Sequence, residues 1–363
     1  MTVADCHLRQ AQYNRTSRGD DFNAAFENVI DSAIRLKVNA LLIPGDLLDS
    51  RRPSPETISF LRKIDDKLVK AGMPCYVTSG NHDLTDPHWA TMVGSEGRLD
   101  RGISIIDNQL ITVPGTTVTI YGQPFVARER FREIRDTLPK ADILLFHCMT
   151  QEMTPFKADA AFSCELDLPW DAYRVIAIGD IHIADKWEAP NGSVILQAGS
   201  TELCSSSEPL EKTAYLFNYS ETEKCAFQIE TVPIKTRQVL KLTCHSEEDV
   251  EKALAEVETH KANVPLVFVR YAPSLNAVPQ RFAARFDPTQ FILRMEPIFG
   301  NLKQANLGLD LRENLNLGDF LDKFISPGTK THELARSLLD PTASVVELVD
   351  RFTASANPVA HEV

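Results

Sequence analysis

The sequence has no apolar run approaching the roughly 18–20 residues that a bilayer-spanning helix needs, so no membrane partner is expected. Its start, MTVADCHLRQ, lacks the basic stretch followed by a long apolar one that marks a secretory signal. Seven cysteines (Cys6, Cys75, Cys148, Cys164, Cys204, Cys225 and Cys244) contain no CxxC pair. Their odd number and lack of pattern favour reduced thiols in a cytoplasmic protein over a disulfide framework. Internal repeats and low-complexity tracts are also missing. So is any basic excess: 38 Lys and Arg face 50 Asp and Glu, for a net charge of −12. Nucleic-acid binders usually carry the opposite balance, because neutralising phosphates supplies much of their affinity. Three expectations stay open on that count: local, metal-assisted binding, a partner that supplies part of the surface, or a substrate other than nucleic acid.

What is present is the patterning of an α/β protein. The 363 residues suffice for one domain of about 200–250 residues with a smaller one, or for two to three ordinary domains. The first 80 residues read as β-α-β-α-β. Phe22, Ala25, Phe26, Val29, Ile30, Ala33 and Ile34 repeat at helical spacing, with Asp20 and Asp21 placed to favour the helix start. The short apolar run Ala40-Leu41-Leu42-Ile43 reads as a buried strand ending at Pro44-Gly45. Ser54-Pro55 opens a second helix, serine as cap and proline at the first helical position, with Ile58, Leu61, Ile64 and Leu68 inward. Cys75-Tyr76-Val77 is the next strand, and Ile143–Phe146 and Val175–Ile178 are two more. Strands alternating with helices imply a parallel sheet, whose ligands gather beyond the carboxyl ends of the strands. Past residue 235 the pattern changes to a small α+β unit: strands at Val239–Thr243, Leu266–Tyr271 and Phe291–Met295 and a capped helix at Ser246–His260. From about residue 301 the chain is leucine-rich and predicted helical, up to an end at Ser355–Val363 that is expected to be disordered.

Each predicted strand end carries residues of metal-ligand type. Asp5-Cys6-His7 follows the first strand, Gly45-Asp46-Leu47-Leu48-Asp49 the second and Gly80-Asn81-His82-Asp83 the third. His147 and Gly179-Asp180-Ile181-His182 follow the other two. Two divalent ions about 3.5–4 Å apart need a carboxylate able to bridge them, with imidazole and oxygen ligands on either side. The glycines before Asp46, Asn81 and Asp180 are expected to let the backbone turn sharply. Any single Asp or His after a strand is more often a turn or capping residue; five such motifs in one chain are not explained that way. Cys6 is expected to point away from the crevice, as alternate residues of an extended segment do.

D-x-H, GD-x-x-D, GNHD, a lone His and G-x-x-H, in this order, resemble the calcineurin-like metallophosphoesterase superfamily over roughly the first 200 residues. GDLLDSRRPSPET, IYGQPF and QAGSTE are similar to the SbcD nucleases and their Meiotic Recombination Eleven relatives. The resemblance implies an α/β fold, with a β-sheet sandwich flanked by helices over residues 1–235. A capping and DNA-binding α+β domain would occupy 236–300, and a helical region that binds an SbcC-like SMC-type ATPase 301–363. It implies one metal held by Asp5, His7, Asp46 and His182, and a second held by Asp46, Asn81, His147 and Asp180, with Asp46 bridging. Manganese is the expected ion, magnesium the alternative. His82 matches the family histidine that protonates the leaving oxygen, a role suited to an imidazole. Asp83 is expected to orient it. Most relatives have histidine where this chain has Asp180. Three carboxylates against two divalent ions leave about one net positive charge, one fewer than a histidine would leave, which favours oxygen-loving ions.

Arg9, Arg15, Arg51 and Arg52 are the expected phosphate contacts, with Arg18, Arg128 and Arg130 also near the predicted rim; each is equally readable as a solvated loop charge. The implied function is a manganese-dependent DNA exonuclease and endonuclease in DNA end processing. A phosphodiesterase or phosphatase for small nucleotides or phosphoproteins is the alternative within enzymes, and activity on a small ester but never on DNA would favour it. A catalytically weak scaffold for the ATPase is the alternative outside them, and would bind no metal. Whether the chain works as a homodimer is left open.

Overall fold

Leu41–Pro44 and Cys75–Thr78 are buried on both faces, and that places the first sheet between two cores. In the computed structural model, which describes residues 1–84, 89, 102–149, 172–189, 191–275, 277–287 and 291–298, β1 (Leu41–Pro44), β2 (Cys75–Thr78) and β3 (Ile103–Ile105) form a parallel sheet. Side chains alternate across it. Leu41, Ile43, Cys75 and Val77 join a core shared with helices α1 (Thr16–Leu36) and α2 (Pro55–Ala71). Leu42 and Tyr76 face the opposite way, into the core shared with a second sheet.

That second sheet has six strands: β4 (Gln109–Thr112), β5 (Thr119–Gln123), β6 (Ile143–His147), β7 (Val175–Gly179), β8 (Asp185–Glu188) and β9 (Val194–Gln197), in the order β4-β5-β6-β7-β9-β8. β5, β6, β7 and β9 run parallel, with antiparallel β4 and β8 at the edges. Its outer face, with Leu144, Phe146, Ile176 and Ile178, packs with Phe131 of α3 (Arg128–Ile134). The hairpin β10 (Lys212–Ser220) and β11 (Cys225–Ile234) extends the first sheet through the N-terminal segment. Thr2 exchanges backbone hydrogen bonds with Tyr215, and Val3 donates to the Leu42 carbonyl. The expected first strand is therefore an extended segment with isolated bridges at Thr2 and Ala4 rather than a regular strand. The backbone turns left-handed at Asp5 and breaks the ladder there.

The helix start at Asp20–Asp21 also differs: α1 begins at Thr16, four residues earlier than Asp20. The hydrophobic repeat gives no hint of this because the extra turn buries Arg18, not an apolar side chain. Arg18 is fully buried and pairs with Asp21 at 2.7 Å and with Glu202 at 3.3 Å. α2 follows the expectation: Ser54 accepts the Thr57 amide at 3.2 Å and Pro55 opens the helix. Such a cap contributes about 1 kcal/mol.

β12 (Val239–Cys244), β13 (Leu266–Tyr271) and β14 (Ile292–Pro297) form a parallel three-stranded sheet. It is covered by α4 (Glu247–His260) and α5 (Val278–Arg285), whose Val250, Leu254, Val257 and Phe282 fill its core. Ser246 and Asp249 make the reciprocal capping box at the start of α4. All described residues belong to the compact unit Met1–Ile298; Phe299–Val363, with the expected helical region, lies outside the described residues. Among the described residues no helix is long and apolar enough to cross a membrane.

Candidate metal centre

The carboxyl ends of β1, β2, β6 and β7 point to one place, and the turn after the N-terminal segment joins them. Asp5, Asp46 and His147 each place a ligand atom within 4.8 Å of the others, and all three are buried. Asp46 sits between two groups: its Oδ2 is 3.8 Å from His7 Nε2 on one side and 3.4 Å from His147 Nε2 on the other. On the His7 side, His7 Nε2 and His182 Nε2 are 3.1 Å apart. On the His147 side, Nε2 meets the Asn81 side-chain oxygen at 3.0 Å and Asp180 Oδ1 at 3.7 Å. His7 and His182 thus gather on one side of Asp46 and His147, Asn81 and Asp180 on the other, while Asp5 groups with Asp46 and His147, its Oδ1 3.9 Å from His147 Nδ1.

The backbone is bent to achieve this. Asp5, His7, Asp46 and Asp180 all have positive φ, at 49°, 45°, 50° and 103°. Such conformations cost of order 1–3 kcal/mol each in non-glycine residues and persist where packing over-determines them. The glycines serve differently from expectation. Only Gly45 of the three has positive φ, at 84°. Gly80 is required for close approach instead, since a Cβ there would lie 2.1 Å from Asp46 Oδ1.

Electrostatically the site is a pile-up of carboxylates in a dry setting. Burial pushes Asp5 up to about 6 despite His147 and His182 nearby. Burial works to lower His147, but its bond to Asp46 and the charges of Asp46, Asp5 and Asp180 override this and raise it to about 10. Burial, with His182 beside it, drops His7 to about 3, keeping that imidazole neutral and fit to ligate. His7 Nδ1 is buried without a hydrogen-bond partner. A neutral histidine, an amide oxygen and three convergent carboxylates make up a donor set that fits divalent cations.

His82 lies beside this cluster, its ring 5.1 Å from that of His7. Its Nδ1 donates to the Asp49 carbonyl at 2.7 Å. Asp83 does not orient it, contrary to expectation. The Asp83 carboxylate is fully buried and accepts the backbone amides of Leu47, Leu48 and Gly80 at 3.2, 2.8 and 2.9 Å. It ties the Gly45–Asp49 turn to the Gly80–Asp83 turn, while the His82 ring bonds Asp49 instead. Burial raises it to about 7, against the pull of those amides.

The arginines divide. Arg51 is exposed at the rim and donates to the Asn81 carbonyl at 3.3 Å. Arg52 is exposed beside it. Arg9 is held in place, bonding the His7 carbonyl at 2.9 Å and Asp49 at 2.6 Å over the Phe22 ring. Arg15 lines a cavity of about 530 Å³ with Arg237 and Lys261, away from the cluster. Arg18 is buried in its ion pairs and unavailable to a substrate. Arg130 pairs with Glu133, and the side chain of Arg128 lies outside the described residues. Cys6 sits in the apolar core, as expected.

Glu208 was not legible. It accepts His182 Nδ1–H at 2.8 Å, and Lys212 and Ser200 bond its other oxygen at 2.7 and 3.0 Å. Burial would raise Glu208, yet His182 and Lys212 hold it down at about 2. Burial works to lower His182, but its bonds to Cys204 and Glu208 and the charge of Asp5 raise it to about 11. The i,i+4 spacing of Glu208 and Lys212 was the only signal, and that spacing is common on any surface.

Residues 1–160 match the profile of the calcineurin-like phosphoesterase family. The DNA double-strand break repair protein Mre11 of Methanosarcina mazei is 30% identical over 282 residues, covering 73% of this chain and 43% of that one. The protein of the same description from Sulfurisphaera tokodaii is 27% identical over 288 residues, covering 74% and 72%. That from Methanocaldococcus jannaschii is 25% identical over 283 residues, covering 73% and 74%. The chain spans less than half the length of the first of these. Motif order, the convergence of the strand ends and these matches agree: residues 1–160 carry a calcineurin-like phosphoesterase domain, in a chain related to the Mre11 DNA double-strand break repair proteins.

Proposed function

We propose that the chain is a two-metal DNA nuclease, hydrolysing phosphodiester bonds during DNA end processing as the nuclease subunit of an SbcC-type ATPase complex. The observation that carries the two-metal part is the place of Asp46, whose carboxylate lies between the His7–His182 pair and the His147–Asn81–Asp180 group. Asp5, His7, Asp46 and His182 would hold one ion and Asp46, Asn81, His147 and Asp180 the other. When bound, a divalent pair supplies an activated water and neutralises the phosphodiester. Manganese suits the oxygen-rich second set.

The residues of the chain do the rest. His82, with Nδ1 committed to the Asp49 carbonyl, presents Nε2 to the site and in its protonated form donates to the leaving oxygen. Asp83 acts as a positioning residue by fixing the two ligand-bearing turns. Arg51 and Arg52 at the rim receive the phosphate backbone. The unit β12–β14 with α4 and α5 caps the DNA. Residues 301–363 bind the ATPase.

The test is degradation of a linear, end-labelled DNA duplex with manganese by the wild type, His82→Ala and Asp46→Ala. Cleavage by the wild type and at least a hundredfold loss in both variants is expected, the size of an acid–base or metal-ligand contribution. Intact DNA alongside hydrolysis of a small phosphodiester would overturn the nuclease reading and leave a small-substrate phosphodiesterase.

A further inference from the structure

We propose that His7, His182 and Cys204 form a soft-metal site at the outer edge of the centre, one that takes zinc or cadmium and excludes the productive ion from its first position. One ligand atom from each of the three lies within 4.8 Å of the others. The His7 and His182 Nε2 atoms are 3.1 Å apart. Two Zn–N bonds of about 2.0–2.1 Å at the tetrahedral angle put their nitrogens about 3.3 Å apart, so the rings need move very little. The Cys204 sulfur supplies the third ligand and water the fourth.

The surroundings favour occupation. Glu208 holds His182 Nδ1–H at 2.8 Å and is itself fixed by Lys212, which commits Nε2 to the site. A carboxylate behind a ligating imidazole fixes its orientation and raises its basicity. Burial pushes the Cys204 thiol up, with His182 and the Arg9 guanidinium, 3.9 Å from the sulfur, pulling the other way, so the metal itself must displace the thiol proton. Binding releases the thiol proton to solvent as the Zn–S bond forms. His182 and Cys204 are both partly exposed, so an ion can enter from solvent.

The two halves of the centre therefore differ in kind. The other side sets Asp46, Asn81 and Asp180 oxygens around the one imidazole of His147; this edge offers two imidazoles and a thiolate. Zinc outbinds manganese at nitrogen and sulfur ligands. Bound here, it takes two of the four ligands read above for the first ion. The competition rests on that reading; the binding does not.

Cadmium titration of the metal-free chain, followed by the ultraviolet charge-transfer band of Cd–thiolate bonds, tests the site without any catalytic readout. The wild type is expected to develop a band that saturates at one equivalent, Cys204→Ser to lose it, and Cys225→Ser, altered at a cysteine outside the cluster, to keep it. No band in the wild type, or an equal band in Cys204→Ser, would overturn the proposal. The ¹¹³Cd resonance of the wild type, which moves far downfield on thiolate ligation, decides the same point without a substitution. In manganese-dependent phosphodiester hydrolysis, zinc should inhibit Cys204→Ser at least tenfold less strongly than the wild type. Equal inhibition would overturn the competition. A chain that cleaves nothing yet gives the cadmium band would contradict the nuclease reading alone.

Discussion

At the scale of single residues, the candidate centre was legible as a set of residue types and not as a set of directions. Asp5, His7, Asp46, Asn81, His147, Asp180 and His182 follow strand ends, and parallel strands deliver their carboxyl ends to one edge. Adjacency in sequence failed at Asp83, which points back to backbone amides while its neighbour His82 faces the cluster. It failed at Glu208 for the opposite reason: 26 residues separate it from His182, and only the fold brings them together. Asp180 carries a prediction. Its side chain is 29% exposed and 3.7 Å from His147 Nε2. Asp180→His restores one unit of positive charge and replaces oxygen with nitrogen. It should tighten cobalt relative to manganese by about tenfold or more at that position, as ligand softness dictates. Calorimetric titration with each ion checks it, and an unchanged preference would remove Asp180 from the ligand set.

At the scale of elements, the periodic signals located helices and strands wherever apolar burial defines them. They missed where a charge is buried instead, as in the first turn of α1, which encloses Arg18 against Glu202. A second hidden tie joins the two sheets. Asp142, just before β6, accepts the Thr119 amide and hydroxyl at 2.9 Å, the Tyr219 hydroxyl at 2.8 Å and Lys224 at 3.1 Å from the β10–β11 hairpin. Partial burial works to raise its carboxyl, but these donors win and hold it below the usual carboxylate range. A carboxylate depressed on folding contributes stability that is present above its unfolded pKa of about 3.9 and is lost as pH falls through the folded value. Asp142→Ala should therefore lower stability at pH 7 by on the order of 1–3 kcal/mol. It should also flatten the fall in stability below pH 4. Urea unfolding at pH 7 and pH 3 measures both; a difference between wild type and variant that is equal at the two values would contradict the tie.

At the scale of the whole molecule, the alternation of strands and helices forecast a parallel sheet and the resemblance implied a second one; the unit after residue 235, expected as α+β, has three parallel strands linked by helices. The joining of the sheets through the N-terminal segment was not forecast, because Thr2 and Val3 contribute backbone groups rather than any side-chain pattern. The net charge of −12 had suggested a poor fit to DNA. Within the centre the same excess has a local meaning: carboxylates gathered around buried imidazoles call for cations, and a cation-loaded site presents positive charge to a phosphodiester however acidic the rest of the surface. That makes the number and coupling of bound ions the decisive quantity. Manganese titration followed by electron paramagnetic resonance reads both. Two ions per chain, spin-coupled in the wild type and uncoupled or reduced in number in Asp46→Ala, are expected of a pair bridged by Asp46. A single ion, or two that never couple, would contradict the two-metal centre.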